Sequence, residues 1–199
     1  ITNDDVAPTL TLVKILPNDN GGTATQNDFN VYIDGQSSTW GQHTLSAGRH
    51  TASEDSLSGY TASVWGQDCN DDGSITLGPG DNKTCTITND DQEAILTLVK
   101  VLPNDDGGQA TQDDFNVYIN DNQSSWGSHN LNAGSYTVSE DALPGYVPSE
   151  WGDDCDANGT IILAPGDEKT CTITNDDVAP TLTLIKTVVI NDGGTATEA

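Results

Sequence analysis

The pentapeptide Ile-Thr-Asn-Asp-Asp occurs three times in the chain, and its spacing limits what the chain can fold into. The pentapeptide begins at Ile1, Ile87 and Ile173, so the period is 86 residues. A period of this length is typical of a small domain, because it is longer than the roughly 20 to 50 residues of a solenoid unit. The tryptophans at Trp40 and Trp126 keep the same offset. We therefore expect a tandem array of similar domains.

The period divides the 199 residues into four segments. Residues 1–5 are interpreted as the end of a preceding repeat and residues 178–199 as the start of a further one. Residues 6–91 are repeat 1, and residues 92–177 are repeat 2. On this interpretation the chain is a window of a longer protein, so the lack of an initiator methionine or a signal peptide does not indicate a cytoplasmic location.

The charge balance excludes two classes of partner. The chain has 6 basic and 31 acidic residues and a formal net charge of −25. Nucleic acids and anionic membranes attract Lys and Arg, so neither is expected to bind here, whereas cations are natural counterparts. No apolar run is long enough to cross a bilayer, and we expect no membrane contact within this segment.

Short segments of alternating polar and apolar residues predict an all-β fold. Residues 9–14, 29–33 and 136–140 alternate in this way, and turn-forming clusters such as residues 17–22 and 78–81 separate the segments. Each repeat has about seven such segments, which is typical of a β-sandwich. We predict tandem seven-stranded, immunoglobulin-like sandwiches arranged end to end.

Three sequence elements occur in the same order in both repeats. A lysine ends the first strand, at Lys14 and Lys100; residues 136–146 read Tyr-x-Val-x-Glu-Asp-x-x-Pro-Gly-Tyr; and the last strand ends in Thr-x-Thr-Asn. Repeat 1 departs from the middle element, with His50 in place of Tyr136 and Ser58 in place of Pro144. This order resembles the SpaA-like or Cna B-type prealbumin-like domains of bacterial pilins and giant surface adhesins. The resemblance implies an extracellular, cell-surface stalk domain, often stiffened by a Lys–Asn isopeptide bond that forms beside a Glu.

Strand parity places a lysine, a glutamate and an asparagine of each repeat on the inward face. The candidate residues are Lys14, Glu54 and Asn89 in repeat 1 and Lys100, Glu140 and Asn175 in repeat 2. Because an unpaired buried ammonium is very costly, one interpretation is a Lys–Glu ion pair with hydrogen bonds from the asparagine. The other is an isopeptide bond, for which burial lowers the lysine pKa and the glutamate moves protons.

Each repeat contains two cysteines. A zinc site would need four ligands, and the sequence has no Cys-x-x-Cys pair and no histidine beside a cysteine. In a secreted chain, two cysteines that flank a turn are expected to form a disulfide within the unit. We predict the pairs Cys69–Cys85 and Cys155–Cys171.

Asp and Asn residues crowd at the predicted joints between domains. A first strand that crosses the sandwich brings its following loop beside the end of the last strand. Crowded carboxylates repel one another unless a cation intervenes, and Ca²⁺ takes about six to eight oxygen ligands. We predict calcium at the joints, with a further ligand from the next domain; the alternative is a solvated hinge. The candidate ligands are Asn18, Asp19, Asp90, Asp91, Asp105, Asp106, Asp121, Asp176 and Asp177.

The sequence predicts a structural protein and not an enzyme. No Ser, His and Asp set, phosphate-binding glycine-rich loop or His-rich metal cluster recurs at the repeat spacing. We expect the shaft of a secreted bacterial surface fibre or adhesin, whose partners are neighbouring repeats of the same polypeptide or fibre. The alternative is a multivalent adhesive module that binds glycans or another cell surface.

Overall fold

The computed structural model describes residue 1 and residues 4–195, and its regular structure is almost entirely β-strand. Residues 2, 3 and 196–199, which fall in the predicted terminal segments, lie outside the described residues. Within the described part the helices are two three-residue 3-10 turns, Gln26–Asp28 and Gln112–Asp114. Neither has the length or the apolar character needed to cross a membrane. The all-β class predicted from the sequence is confirmed.

Repeat 1 contains nine strand segments, of which several are only two or three residues long. They are β1 (Thr9–Ile15), β2 (Val31–Ile33), β3 (Gln36–Ser38), β4 (Gly41–Thr44), β5 (Gly48–Glu54), β6 (Tyr60–Ala62), β7 (Gly66–Gln67), β8 (Ser74–Leu77) and β9 (Asn82–Asp91).

Repeat 2 contains the equivalent segments. They are β10 (Ala94–Val101), β11 (Val117–Ile119), β12 (Asn122–Ser124), β13 (Gly127–Leu131), β14 (Gly134–Glu140), β15 (Tyr146–Pro148), β16 (Gly152–Asp153), β17 (Thr160–Leu163) and β18 (Glu168–Asp177).

Each repeat is a sandwich of two sheets. In repeat 1 the first sheet has the strand order β4-β1-β9-β6, with β7 also paired to β9, and the second has the order β3-β2-β5-β8. Repeat 2 has the orders β13-β10-β18-β15, with β16 on β18, and β12-β11-β14-β17. β1 and β9 run parallel, in register from Thr9 opposite Asn82 to Ile15 opposite Thr88. The loop after β1 and the end of β9 therefore lie at the same end of the sandwich.

Alternate residues of the central strands form the core between the sheets. Leu10 and Leu12 of β1 are buried, and so are Cys85 and Ile87 of β9. Successive side chains of a strand point to opposite faces, so the inward row continues beyond these residues to Lys14 and Asn89. The alternation that builds the apolar core thus also carries polar side chains into it.

Each repeat contains one disulfide, formed within the repeat. Cys69 is bonded to Cys85 and Cys155 to Cys171, each pair 16 residues apart in sequence with Cα atoms separated by 5.1 Å. The bond in repeat 1 joins β9 to the segment after β7, which pairs with β9 beside Cys85. All four cysteines are therefore paired.

The residues after β18 contain no strand up to residue 195. Leu182 and Leu184 hold the positions of the buried Leu10 and Leu12 in the 86-residue repeat, yet they are exposed. The interpretation of residues 178–199 as the start of a further repeat stays a prediction.

Candidate functional site

A buried lysine, glutamate and asparagine meet between the two sheets of each repeat. In repeat 2, Lys100 is near the end of β10, Asn175 lies in the parallel neighbour β18, and Glu140 ends β14 of the facing sheet. The side chain of Lys100 is fully buried and that of Glu140 is 6% exposed. Asn175 is also buried, at 1% exposure. The equivalent residues of repeat 1 are Lys14, Glu54 and Asn89, which are buried to the same degree.

The lysine of each repeat is hydrogen-bonded to the glutamate. Lys100 Nζ donates to Glu140 Oε2 and donates a second bond of 2.6 Å to Asn175 Oδ1. Glu140 Oε1 and Asn175 Nδ2 are buried without a hydrogen-bond partner among the described residues. A carboxylate oxygen and an amide nitrogen are thus free of other bonds beside the lysine.

Repeat 1 has the same ion pair with a difference at the amide. Lys14 Nζ donates to Glu54 Oε2, as in repeat 2. At this site of repeat 1, Glu54 Oε1 and Asn89 Oδ1 are buried without a hydrogen-bond partner among the described residues. The unpaired amide atom of Asn89 is therefore the oxygen, whereas in Asn175 it is the nitrogen.

Two aromatic rings cover each lysine. Lys14 Nζ lies 3.7 Å from the centroid of the Phe29 ring and 5.2 Å from that of Trp40. Lys100 Nζ lies 3.8 Å from the centroid of the Phe115 ring and 5.2 Å from that of Trp126. The ring faces attract the ammonium and exclude water from it. Phe29 begins the alternating segment 29–33, but its contact with the lysine was not predicted, although the only two phenylalanines of the chain are 86 residues apart, at Phe29 and Phe115.

Burial lowers the pKa of the Lys14 and Lys100 ammonium groups from its ordinary value. The hydrogen bonds and negative charges of Glu54 and Glu140 act in the opposite direction and are smaller in effect. A lowered lysine pKa increases the fraction of neutral amine, which is the nucleophilic form. The site therefore holds an amine, a carboxyl group and an amide in contact inside an apolar core.

A second group of polar residues lies at the end of each sandwich where the last strand ends. One carboxylate oxygen from each of three aspartates lies within 4.8 Å of the other two. The clusters are Asp19, Asp90 and Asp91 in repeat 1 and Asp105, Asp176 and Asp177 in repeat 2. The structure thus brings together six of the predicted metal ligands, three in each repeat.

The buried aspartate of each cluster holds the loop after the first strand. Asp177 Oδ1 accepts a hydrogen bond of 3.2 Å from the backbone N–H of Asp106, and Oδ2 accepts one of 2.6 Å from Gly108. Asp91 makes the equivalent pair of bonds. A Cβ on Gly108 would lie 2.4 Å from Tyr146 Oη, so this close approach requires glycine. Tyr146 ends the Tyr-x-Val-x-Glu-Asp-x-x-Pro-Gly-Tyr element, whereas Gly108 has no role in the prediction from sequence.

The remaining predicted ligands have other contacts. Asn18 Nδ2 donates a 2.9 Å bond to the carbonyl of Ala24, while its Oδ1 is buried without a partner among the described residues. Asp106 contacts Asp177 through its backbone N–H and not through its carboxylate.

Asp121, predicted as a ligand from the following domain, is outside both aspartate clusters. It lies in the turn between β11 and β12. β11 ends opposite Val138, and the adjacent Asn120 donates its backbone N–H to the carbonyl of Thr137. The turn therefore lies beside the middle of β14, whereas repeat 1 contacts Ala133, just before β14 begins. Calcium binding at the joint stays a prediction.

A sequence profile of a prealbumin-like fold domain matches the chain twice, over residues 5–87 and 91–173. The chain belongs to this prealbumin-like domain family. The resemblance noted from the sequence is thereby confirmed. A comparison with curated protein sequences found no match.

Solved structures share the prealbumin-like fold at low sequence identity. The Bacillus anthracis TIE protein is 19% identical, with a TM-score of 0.50, and the alignment covers 89% of this chain and 36% of that protein. The chain thus spans 36% of the length of the TIE protein. The major pilin protein T-13 from Streptococcus pyogenes is 14% identical, with coverage of 89% and 98% and a TM-score of 0.35.

A single B repeat unit of the collagen-binding surface protein of Staphylococcus aureus is 16% identical, with coverage of 89% and 100% and a TM-score of 0.27. At these identities the likeness concerns the fold. Each of the two prealbumin-like repeats of the present chain holds a Lys, a Glu and an Asn between its sheets.

Proposed function

We propose that this chain is part of the shaft of an extracellular bacterial surface fibre or adhesin, and that it has a structural and not an enzymatic role. Membership of the prealbumin-like family and the tandem repetition support this function. The disulfide in each repeat supports an extracellular location, because disulfides persist in oxidising environments. The neighbouring repeats of the same polypeptide or fibre are the partners.

The contact between Lys100 and Asn175 carries the proposal that each repeat is cross-linked. Lys100 Nζ lies 2.6 Å from Asn175 Oδ1, so the amine is already beside the carboxamide. Both side chains are buried, and burial lowers the lysine pKa. An amine, an amide and a carboxyl group held together without water favour aminolysis of the amide.

The cross-linking reaction needs no other reagent. The neutral Lys100 amine attacks Cγ of Asn175, so that the Nζ–Cγ bond forms. Glu140 takes a proton from Nζ and delivers one to Nδ2 of the asparagine. The Cγ–Nδ2 bond then breaks, and the nitrogen leaves as ammonia. The product is an isopeptide bond between β10 and β18, and Glu140 ends as it began.

The equivalent reaction in repeat 1 joins Lys14 to Asn89 with the help of Glu54. Lys14 lies on the same inward row of β1 as Leu10 and Leu12, and Asn89 lies in the parallel neighbour β9. The two reactions are independent because each occurs inside its own sandwich. The mass of the chain should therefore report them separately.

Intact mass spectrometry of the whole chain tests the cross-links. We expect the wild-type chain to be lighter than its sequence by one ammonia per repeat, beyond the hydrogen atoms lost on disulfide formation. Glu140→Gln should abolish the deficit of repeat 2 and keep that of repeat 1. The exposed Glu150 provides a matched control, since Glu150→Gln should keep both deficits. An unmodified mass for the wild type would establish the ion pair instead of the bond.

A further inference from the structure

The joint between the two repeats is built from main-chain hydrogen bonds. Only Gln92 and Glu93 separate the last strand of repeat 1 from the first strand of repeat 2. The backbone N–H of Gln92 donates to the carbonyl of Gly59 in repeat 1 at 2.9 Å, and its carbonyl accepts from Gly166 in repeat 2 at 3.0 Å. The short linker is therefore fixed on both sides.

Two glycines of repeat 1 contact repeat 2 so closely that no side chain fits between them. A Cβ on Gly21 would lie 2.4 Å from the carbonyl oxygen of Ala133, and a Cβ on Gly59 would lie 2.2 Å from that of Pro165. The backbone N–H of Ala133 also donates a 2.7 Å bond to the carbonyl of Asn20, next to Gly21. The surfaces of the two repeats are complementary at the level of the backbone.

The equivalent glycines of repeat 2 are open. A Cβ on Gly107 or Gly145 would meet nothing within 4 Å in the part of the chain that the structure describes. The φ angles are +85° for Gly21 and +79° for Gly59, and they are +98° for Gly107 and +89° for Gly145. Both pairs therefore have the same left-handed backbone, and they differ only in what covers them.

The opposite face of the joint shows the same contrast. Ala133 and Pro165 are partly buried, whereas Ala47 and Pro79, which hold the same positions in repeat 1, are exposed. Each repeat thus has both halves of the joint, a trailing surface with two glycines and a leading surface with an alanine and a proline.

The chain after repeat 2 starts out along the path of the linker. The backbone N–H of Val178, the equivalent of Gln92, donates a 2.9 Å bond to the carbonyl of Gly145. Gln92 makes the same bond to Gly59. The segment that follows repeat 2 therefore begins at the surface of repeat 2 that is equivalent to the covered surface of repeat 1.

We propose that the main chain of Asn20, Gly21 and Gly59 docks the leading surface of repeat 2 and thereby holds the two repeats in one fixed orientation, and that the equivalent surface of repeat 2 binds a further copy of the repeat in the same way. The asparagine at position 20 is an aspartate at the equivalent position in repeat 2, but the contact across the joint uses the carbonyl of this residue. The proposal rests on the proposed function in that it treats the array as a continuous shaft.

Residual dipolar couplings of the whole isotope-labelled chain, measured in chelator, test this joint. Repeats in a fixed orientation share one alignment tensor, whereas repeats that move independently give two. We expect one common tensor for the wild type and for Gly107→Ala. Gly21→Ala should lose it, although both substitutions impose the same strain at a positive φ. A wild type with two different tensors, or a common tensor retained in Gly21→Ala, would overturn the proposal.

A second pair of variants keeps the test decisive if Gly21→Ala unfolds repeat 1. Gly59→Ala should lose the common tensor, and Gly145→Ala should retain it. The intact mass of the same samples separates this proposal from the cross-links. A common tensor with an unmodified mass would support the joint and contradict the isopeptide bonds. Two tensors with the ammonia deficits would support the isopeptide bonds and contradict the joint.

Discussion

The two repeats differ in a side-chain contact that is sensitive to pH in only one of them. His50 Nδ1 of repeat 1 lies 2.7 Å from Asp34 Oδ2, and its Nε2 lies 2.9 Å from the carbonyl oxygen of Ser46. In repeat 2 the equivalent residue is Tyr136, whose Oη donates a 2.8 Å bond to the carbonyl of Asn132. Repeat 2 thus fills the same position with a neutral group.

The contacts of His50 shift two pKa values in opposite directions. The Ser46 carbonyl and, after it, Asp34 raise the pKa of His50 above 6.5 despite its burial, and the hydrogen bond from His50 lowers that of Asp34 below 3.8. His50 adds its full contribution to the free energy of unfolding below the pKa that it has in the unfolded chain, and this contribution is lost as the pH rises through its pKa in the folded chain. Asp34 adds its contribution above the pKa that it has in the unfolded chain, and this contribution is lost as the pH falls through its pKa in the folded chain.

The added stability of repeat 1 should therefore be greatest between about pH 4 and pH 6.5. Because Asp34 is half exposed, we expect an effect of about 1 kcal/mol or less. The double variant His50→Tyr and Asp34→Asn gives repeat 1 the residues of repeat 2 at both positions. Its unfolding, followed by NMR signals of each repeat, should lose this pH dependence. A pH profile unchanged from the wild type would contradict the assignment.

The residues of the buried site could largely be predicted from the sequence. Lys14 and Asn89 follow apolar residues at every second position, so the period of a strand fixes the face on which they lie. Phe29 precedes β2 and is buried like Val31 and Ile33, as the alternation of residues 29–33 predicts. Parity thus predicts that Phe29 faces inward, but not that its ring lies over the lysine.

At the scale of the strands, the disulfide of repeat 2 is expected to hold the short strand β16 against β18. This segment has two residues and pairs with Thr172 and Cys171, so its own hydrogen bonds give little stability. We expect the double variant Cys155→Ala and Cys171→Ala to lower the free energy of unfolding of repeat 2 by about 3 kcal/mol. The unfolding of each repeat can be followed separately by NMR during thermal denaturation.

The control for the disulfide variant is repeat 1, which keeps its own bond between Cys69 and Cys85. Repeat 1 should unfold at its wild-type temperature in the same sample. If repeat 2 also unfolds at its wild-type temperature, the disulfide has no stabilising role, and the strands alone hold this part of the sandwich.

The sequence predicts that the first and last strands are neighbours, and it predicts this better than the position of the turns. The parallel pairing of β1 and β9 was expected, because the buried side chains must meet. Asp121 was assigned to the joint because β11 points towards that end of the sandwich. β11 is only three residues long, however, and the turn after it falls short of the joint. Alternation shows the direction of a strand, but its length depends on pairing.

At the scale of the whole molecule, the net charge of −25 predicts that the chain binds cations. Asp19 and Asp90 are exposed and lie near the joint, whereas the buried Asp91 is already hydrogen-bonded to the loop. If calcium binds at this cluster, the melting temperature of the chain should be higher in calcium than in chelator.

The exposed aspartates provide the matched variants for the calcium test. Asp19→Asn should reduce the effect of calcium on the melting temperature, while Asp113→Asn, an exposed position outside the clusters, should leave it intact. Equal melting temperatures of the wild-type chain in calcium and in chelator would show that the joint needs no metal.

The parallel pairing of β1 and β9 determines how a fibre made of such repeats would respond to being pulled. The chain enters each sandwich through the first of these strands and leaves through the last, at opposite ends. Tension along the fibre would pull one strand past the other, so the hydrogen bonds between them and the proposed isopeptide bond would resist together and not one after another. Mechanical strength would then be concentrated in one strand pair per repeat, and residues 16–81 would carry little of the force.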